Sequence, residues 1–275
     1  MDISTLQAKA SYVRLSALED AVRAGKGHLG GTFSCVEILV MLYYGGFLNI
    51  TPTTVNSLDR DYFFIGKGHA CLAIYPILYD LGFISYSRYM EYGINGSSLG
   101  GQLDISIPGV ENNTGSLGHA LGLAAGVALA SKLDEKKNRA VALLGDAECE
   151  EGSVWEAIIF AAEQGLKNLT CIIDRNRLSV TRVMDDSILF YSFGKKIELF
   201  GWECKIIDGH DLNAIHDAFQ FAEAAEKPTA ILANTVKGKG ISFMENVKKW
   251  HHQVPTEAEV VIAREELQKV NFPDA

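Results

Sequence analysis

No Cys-x-x-Cys pair occurs in the chain. The five cysteines, Cys35, Cys71, Cys149, Cys171 and Cys204, are scattered, and several lie in apolar runs. That pattern favours reduced, buried thiols and a cytoplasmic protein. An excess of positive charge is missing too. The formal net charge is −9, which argues against a general nucleic-acid role, although local basic spots can still bind phosphate groups. The opening Met1-Asp2-Ile3-Ser4 lacks the basic-then-apolar pattern of a signal peptide. The longest apolar run, around Leu121 to Ala130, falls short of the roughly 20 residues that cross a bilayer. A Gly-x-x-x-x-Gly-Lys-Ser/Thr phosphate loop is absent, as are internal repeats and low-complexity linkers.

What is there is patterned apolar residue. With 48% hydrophobic residues in 275, the chain can bury a large core. Leu6, Ala10, Val13, Leu15, Leu18 and Val22 fall at helical spacing over Ser4 to Ala24, and Gly25 and Gly27 end that helix. Ser34 can cap a second apolar helix ending before Gly45-Gly46. A strand Asp61 to Ile65 turns through Gly66-Lys67-Gly68-His69 into a helix Ala70 to Leu81, and the glycine-rich run Gly93 to Val110 reads as a loop. From Gly115 a small-residue helix runs to Lys132. Strand and helix then alternate: strand Arg139 to Leu144, helix Ser153 to Gln164, strand Leu169 to Ile173, a long irregular stretch, strand Glu203 to Ile207, helix Leu212 to Ala225, strand Thr229 to Thr235 and helix Thr256 to Val270. This alternation predicts an α/β fold with a doubly wound, mostly parallel sheet and helices on both faces. Residues 1–275 are expected to form one domain with a helical amino-terminal portion. Val154, Trp155, Ile158, Ile159 and Ala162 are expected to pack the helix after Glu150-Glu151-Gly152 onto the sheet.

Two strand ends carry the chemistry. Val141-Ala142-Leu143-Leu144 runs into Gly145-Asp146-Ala147-Glu148, and Thr170-Cys171-Ile172-Ile173 runs into a polar turn Asp174-Arg175-Asn176-Arg177-Leu178. In a parallel sheet such turns lie side by side at the carboxyl ends, where α/β proteins bind ligands. Asp and Asn are each common turn formers. At equivalent ends of successive strands, an Asp carboxylate, an Asn amide oxygen and a backbone carbonyl form a hard-oxygen set suited to Mg²⁺ and a diphosphate. Gly145 would let backbone approach a phosphate. Histidines sit in glycine turns at Gly27-His28-Leu29-Gly30-Gly31, Gly68-His69, Gly118-His119 and Gly209-His210; a lone histidine is usually structural, but one in a glycine turn is more often exposed and able to reach a ligand. Lys237 and Lys239, among glycines just after a strand, suit phosphate contact, although a solvated basic turn has the same composition. Acidic residues also favour helix starts, which suffices for one of Glu150 and Glu151.

Together these residues resemble the thiamine-diphosphate-binding half of a transketolase. The resemblance runs from about Leu15 to His252. It takes in order Gly27-His28-Leu29-Gly30-Gly31, Gly66-Lys67-Gly68-His69-Ala70, Pro108-Gly109-Val110-Glu111, Thr114-Gly115-Ser116-Leu117-Gly118, Gly145-Asp146, Glu151-Gly152-Ser153-Val154-Trp155-Glu156-Ala157, Asp208-Gly209-His210, Lys237-Gly238-Lys239-Gly240 and Trp250-His251. It implies that Asp146, Asn176 and the carbonyl of Leu178 hold Mg²⁺, or another divalent cation such as Ca²⁺ or Mn²⁺. It implies that His69, Gly145, Ala147, Lys237 and His251 face the diphosphate, and that Gly115 and Leu117 meet the aminopyrimidine through their backbone. His28 and His69 become the catalytic candidates: His28 would meet substrate hydroxyls and could shuttle protons. Glu151 resembles the glutamate of an acidic network that links paired sites across the dimer.

The implied reaction is transfer of a two-carbon ketol unit between sugar phosphates, by a chain that supplies only half of the site. A full transketolase continues into a pyrimidine-binding domain with the activating glutamate and a carboxyl-terminal domain. The expectation is therefore an amino-terminal subunit of a two-component transketolase, with a second subunit carrying those domains in an α₂β₂ assembly. Three positions depart from the family pattern. Ala147 replaces the second glycine of Gly-Asp-Gly. Gln102, in Gly100-Gly101-Gln102-Leu103, stands about where a substrate-facing histidine is usual; it can hydrogen-bond a hydroxyl but not move a proton. His119 replaces a common glutamine. Gln102 leaves open another thiamine-diphosphate carboligase, such as a pyruvate-using synthase. A ketoacid dehydrogenase subunit fits the His28 and His69 turns less well. A non-catalytic binding or regulatory module would be expected to have lost ligands that are all present.

Overall fold

The alternating segments form a five-stranded sheet in which every pairing is parallel. The computed structural model describes residues 2–179, 183–184 and 191–269. The strands are β1 (Tyr62–Ile65), β2 (Ala140–Gly145), β3 (Leu169–Arg175), β4 (Glu203–Asp208) and β5 (Thr229–Asn234), in the order β1-β2-β3-β5-β4. The helices are α1 (Ile3–Ala24), α2 (Leu29–Phe33), α3 (Val36–Tyr44), α4 (Cys71–Asp80), α5 (Tyr86–Tyr89), α6 (Ala120–Leu133), α7 (Gly152–Glu163), α8 (Phe193–Leu199), α9 (Leu212–Ala224) and α10 (Glu257–Lys269). Short 3₁₀ turns cover Gly68–Ala70, Ala147–Glu150 and Lys248–His251.

Near-continuous apolar strands are what a sheet covered on both faces requires. Successive strand residues point to opposite sides. Phe63, Ile65, Val141, Leu143, Ile172 and Ile231 join the core under α1, α3, α4 and α9. Phe64, Ala142, Leu144, Cys171, Ile173 and Leu232 join the one under α6, α7 and α8. Helix α1 opens where the Asp2 side chain accepts the Thr5 N–H at 2.8 Å, and it stops at Gly25, whose φ of +64° is left-handed. The five cysteines are unpaired, four of them buried. No helix among the described residues is long and apolar enough to cross a membrane.

Several local expectations are corrected. Ser34 does not cap α3, which starts after Cys35 without a side-chain cap, and the Ser34 hydroxyl donates to Asp174 instead, at 2.6 Å. The small-residue helix begins at Ala120 rather than Gly115, because Gly115 and Gly118 have φ of +114° and +87°, which a right-handed helix excludes. The buried stripe of α7 is Val154, Ala157, Ile158 and Ala161, the helical i, i+3, i+4, i+7 set; Ile159 is exposed. Part of the stretch read as irregular is α8, while residues 180–182 and 185–190 of it lie outside the described residues. The last helix is described to Lys269, and Val270 lies outside.

Candidate active site

The parallel register sets Gly145 beside Asp174 and so brings the two polar strand ends together. Asp146 is buried, and each carboxylate oxygen accepts one backbone N–H: Oδ1 from Ala147 at 2.8 Å and Oδ2 from Arg177 at 2.5 Å. Arg177 has φ +65°, and this left-handed kink aims its N–H back across the strands. Asn176, also buried, accepts the Leu178 N–H on Oδ1 at 3.2 Å. The Leu178 carbonyl accepts the Lys237 ammonium at 2.9 Å. These bonds tie the Asp146 turn to the turn that carries Asn176 and Leu178. Among the described residues no three His, Cys, Asp or Glu side chains could together hold a metal. The available set is one carboxylate, one amide and one carbonyl, all hard oxygen, which suits Mg²⁺ better than a softer ion. Burial and the neighbouring Asp174 carboxylate push the Asp146 carboxyl up to about 6. Two acids crowded in a dry place are an arrangement that a divalent cation relieves. The donor set therefore fits the group.

Beneath this set lies a network that sequence reasoning missed. Asp174 belongs to β3 rather than to a turn, and it is fully buried. It pairs with Lys67, 1% exposed, and accepts the hydroxyls of Ser34 and Thr235. Lys67 also donates to the Gly31 carbonyl at 2.7 Å. Burial alone would depress the lysine and raise the acid; their pairing reverses both shifts. The available signal was a charged residue closing an apolar strand and a lysine inside a glycine turn. Glu148 was missed as well. Its buried carboxylate accepts the N–H groups of Gly118 at 2.9 Å and Gly145 at 3.1 Å, clamping two glycine turns together.

Four imidazoles gather above the network. The His28 ring centroid lies 5.5 Å from His69, 5.5 Å from His251 and 4.5 Å from His252. Lys237, 2% exposed, donates to His251 Nδ1 at 3.0 Å, and burial with the Lys67 charge brings its ammonium down to about 8. Burial, then the other basic groups, hold His28 and His251 at about 4 and His69 well below its ordinary value. These rings are neutral at physiological pH, the state that can both accept and return a proton.

The depressed values have a stability consequence. Unfolded imidazoles take protons below about pH 6.5, and the folded cluster resists until about 4. The cluster's contribution is therefore flat above about pH 7 and destabilises as pH falls from about 6.5 toward 4. The urea midpoint is expected to be lower at about pH 5 than at about pH 7.5, and the drop to be smaller in His28→Asn. The same drop in both proteins rejects this account.

The turn Gly115-Ser116-Leu117 is exposed. Gln102 lies at its edge, with Oε1 accepting the Thr114 hydroxyl at 3.1 Å, and a side chain at Gly115 would meet Gln102 at 3.8 Å. Glu151 is exposed at the start of α7, and Gly118 packs against it so closely that a Cβ there would fall 2.6 Å from the Glu151 Cβ. His119 is exposed, with Nδ1 3.1 Å from the Leu117 carbonyl. Glu151 and His119 thus stand at the Gly118 turn, outside the imidazole cluster.

The family described as "Transketolase, thiamine diphosphate binding domain" matches residues 5–271. The chain belongs to the transketolase family. An apulose-4-phosphate transketolase subunit from Actinobacillus succinogenes is 38% identical over 95% of this chain and 95% of its own length. A protein of the same name from Phocaeicola vulgatus is 36% identical over 93% and 91%. A transketolase structure from Campylobacter jejuni superposes with a TM-score of 0.90 at 29% identity, covering 98% of this chain and 43% of that one. In this transketolase chain Ala147 opens a 3₁₀ turn and is not among the residues with positive φ, so the backbone there does not require a glycine.

Proposed function

We propose that this chain is the amino-terminal subunit of a two-component transketolase, moving a two-carbon ketol unit between phosphorylated sugars. The observation that supports the proposal is the likeness to relatives named as transketolase subunits, 36% and 38% identical to this chain over 91% and 95% of their own length. In this reading Asp146, Asn176 and the Leu178 carbonyl hold Mg²⁺, with Ca²⁺ or Mn²⁺ as substitutes. Lys237, His251, His69, Gly145 and Ala147 receive the diphosphate of thiamine diphosphate, and the exposed backbone of Gly115 and Leu117 meets its aminopyrimidine. When bound, the cofactor would supply the thiazolium chemistry of the reaction. The protein orients it: Lys237 and the oxygen set fix its charged tail, and neutral His28 and His69 stand where substrate hydroxyls lose and regain protons.

A second subunit would carry the pyrimidine-binding and carboxyl-terminal domains. It would complete an α₂β₂ assembly, which we place in the cytoplasm. Relatives are named for apulose-4-phosphate and for 6-deoxy-6-sulfo-D-fructose, which supports a sugar substrate with an anionic group, while Gln102 can offer only a hydrogen bond at the substrate mouth. The isolated chain is expected to show negligible turnover, and mixing with the partner subunit to restore it. Co-purification followed by a donor screen, with several ketose phosphates and pyruvate, tests both points. Substantial ketol transfer by the single purified chain sinks the split-enzyme reading, and turnover of pyruvate alone replaces it with a synthase.

A further inference from the structure

The Val236-Lys237-Gly238 turn, which carries the buried Lys237, is pinned at three consecutive residues. Gly238 donates its N–H to the Gly30 carbonyl at 2.9 Å, and the Lys237 carbonyl accepts the Asn246 N–H at 2.8 Å. The third pin is a side chain: the Val236 N–H donates to His210 Nε2 at 2.8 Å. A backbone N–H can only donate, so Nε2 carries a lone pair and the proton of the neutral ring sits on Nδ1. That proton points at Glu37 Oε2, 3.0 Å away. Glu37 in turn grips Arg14 through both oxygens, at 2.6 and 2.7 Å, and Arg14 donates to the Phe33 carbonyl at 3.0 Å. Burial opposes the Glu37 charge, but Arg14 and His210 hold its carboxyl at about 2, so it is always an acceptor. Gly209 makes the approach possible. A Cβ there would fall 2.4 Å from the Thr235 side chain, and the Gly209 N–H donates to the Asn234 carbonyl at 2.7 Å.

We infer that His210 is a positioning residue: held by Glu37 and Arg14 from α3 and α1, its Nε2 fixes the Val236 N–H and so sets Lys237 for an anionic diphosphate group. This rests on the reading of the site as a diphosphate cradle. His210 touches neither the oxygen set nor the imidazole cluster through any bond named above, and acts only through the turn. A largely buried ion pair and a ring of fixed tautomer make a stiffer anchor than a surface contact.

Two measurements on the full-length chain test it. Amide hydrogen exchange at Val236 and Lys237 needs no ligand. His210→Phe keeps a ring but removes the acceptor, and is expected to speed exchange about tenfold, the scale of one hydrogen bond to a fixed turn. His210→Gln, whose amide oxygen reaches the same N–H, is expected to restore most of the protection. Calorimetric titration with inorganic pyrophosphate and Mg²⁺ then reads function: affinity falls about 3- to 10-fold in His210→Phe and recovers in His210→Gln. Unchanged exchange in His210→Phe overturns the inference, whatever binds. Faster exchange with unchanged pyrophosphate affinity also overturns it, leaving His210 as a structural residue alone. Absence of pyrophosphate binding in the wild type instead rejects the diphosphate reading, while exchange still decides whether His210 holds the turn.

Discussion

Asp146→Ala is expected to abolish Mg²⁺- and cofactor-dependent ketol transfer by the assembled enzyme. Asp146 is the single full negative charge in an oxygen set otherwise made of the Asn176 amide and the Leu178 carbonyl. Removing it leaves two neutral dipoles to hold a divalent cation. Loss of a residue that merely supports a metal ligand typically costs 10–100-fold, and loss of the charged ligand itself is expected to exceed about 100-fold in apparent Mg²⁺ affinity. The same substitution also frees the Arg177 and Ala147 N–H groups that the carboxylate now accepts, loosening the turn that presents Asn176. Binding can be read apart from catalysis. A ligand at about 100 times its Kd raises unfolding free energy by roughly 2.7 kcal/mol. Mg²⁺ with thiamine diphosphate should therefore stabilise the wild-type chain with its partner and leave the variant almost unmoved. Activity that stays unchanged across a Mg²⁺ titration rejects the metal assignment.

The parts of this site legible in the sequence were those that lie in turns. Gly145-Asp146 and Asn176 break apolar strands, so their chemistry stands out against a simple background, and a parallel sheet leaves one way to juxtapose them. His28 and His69 stood out for the same reason, each following a glycine, whereas no glycine flanks His251 or His252. Residues joined across the chain could not be seen. Nothing local to Lys67 says that its ammonium lies under β3, because the contact spans 107 residues. Nor does Ser34 announce that it serves Asp174 rather than a helix end: as a Ser before an apolar run it matches a cap signature, and tertiary packing overrides that preference. The Gly115 helix start failed for a nearer reason. Small residues and alternation favour helix, but glycine's freedom at positive φ was used for a turn instead. Ile159 shows the limit of composition: apolar content marked α7 as packed, while the spacing along the helix decided which side was buried.

Lys67→Met is expected to destabilise the chain by about 3–5 kcal/mol, the usual cost of stranding a buried charge. The reason is Asp174. Its carboxylate is 0% exposed and has two hydroxyls, from Ser34 and Thr235, but Lys67 as its only cation among the partners described. Hydroxyl donors soften a buried charge without neutralising it, so the orphaned acid must either stay ionised at a large cost or take up a proton. Lys67 also ties the Gly31 carbonyl, so the loss spreads to α2, the short helix that follows His28. Methionine preserves most of the volume, so a cavity contributes little to the expected change. The double variant Lys67→Met, Asp174→Asn separates pair from packing. It removes both charges while the amide oxygen can still accept the two hydroxyls, and it is expected to recover more than half of the lost stability in urea unfolding. Asp174→Asn alone strands the ammonium and should be nearly as damaging as Lys67→Met. A loss below about 1 kcal/mol in Lys67→Met, the range of a solvated surface pair, shows that water reaches Asp174. The floor of the oxygen set is then wet, and the crowding of Asp146 against Asp174 no longer argues for a bound cation.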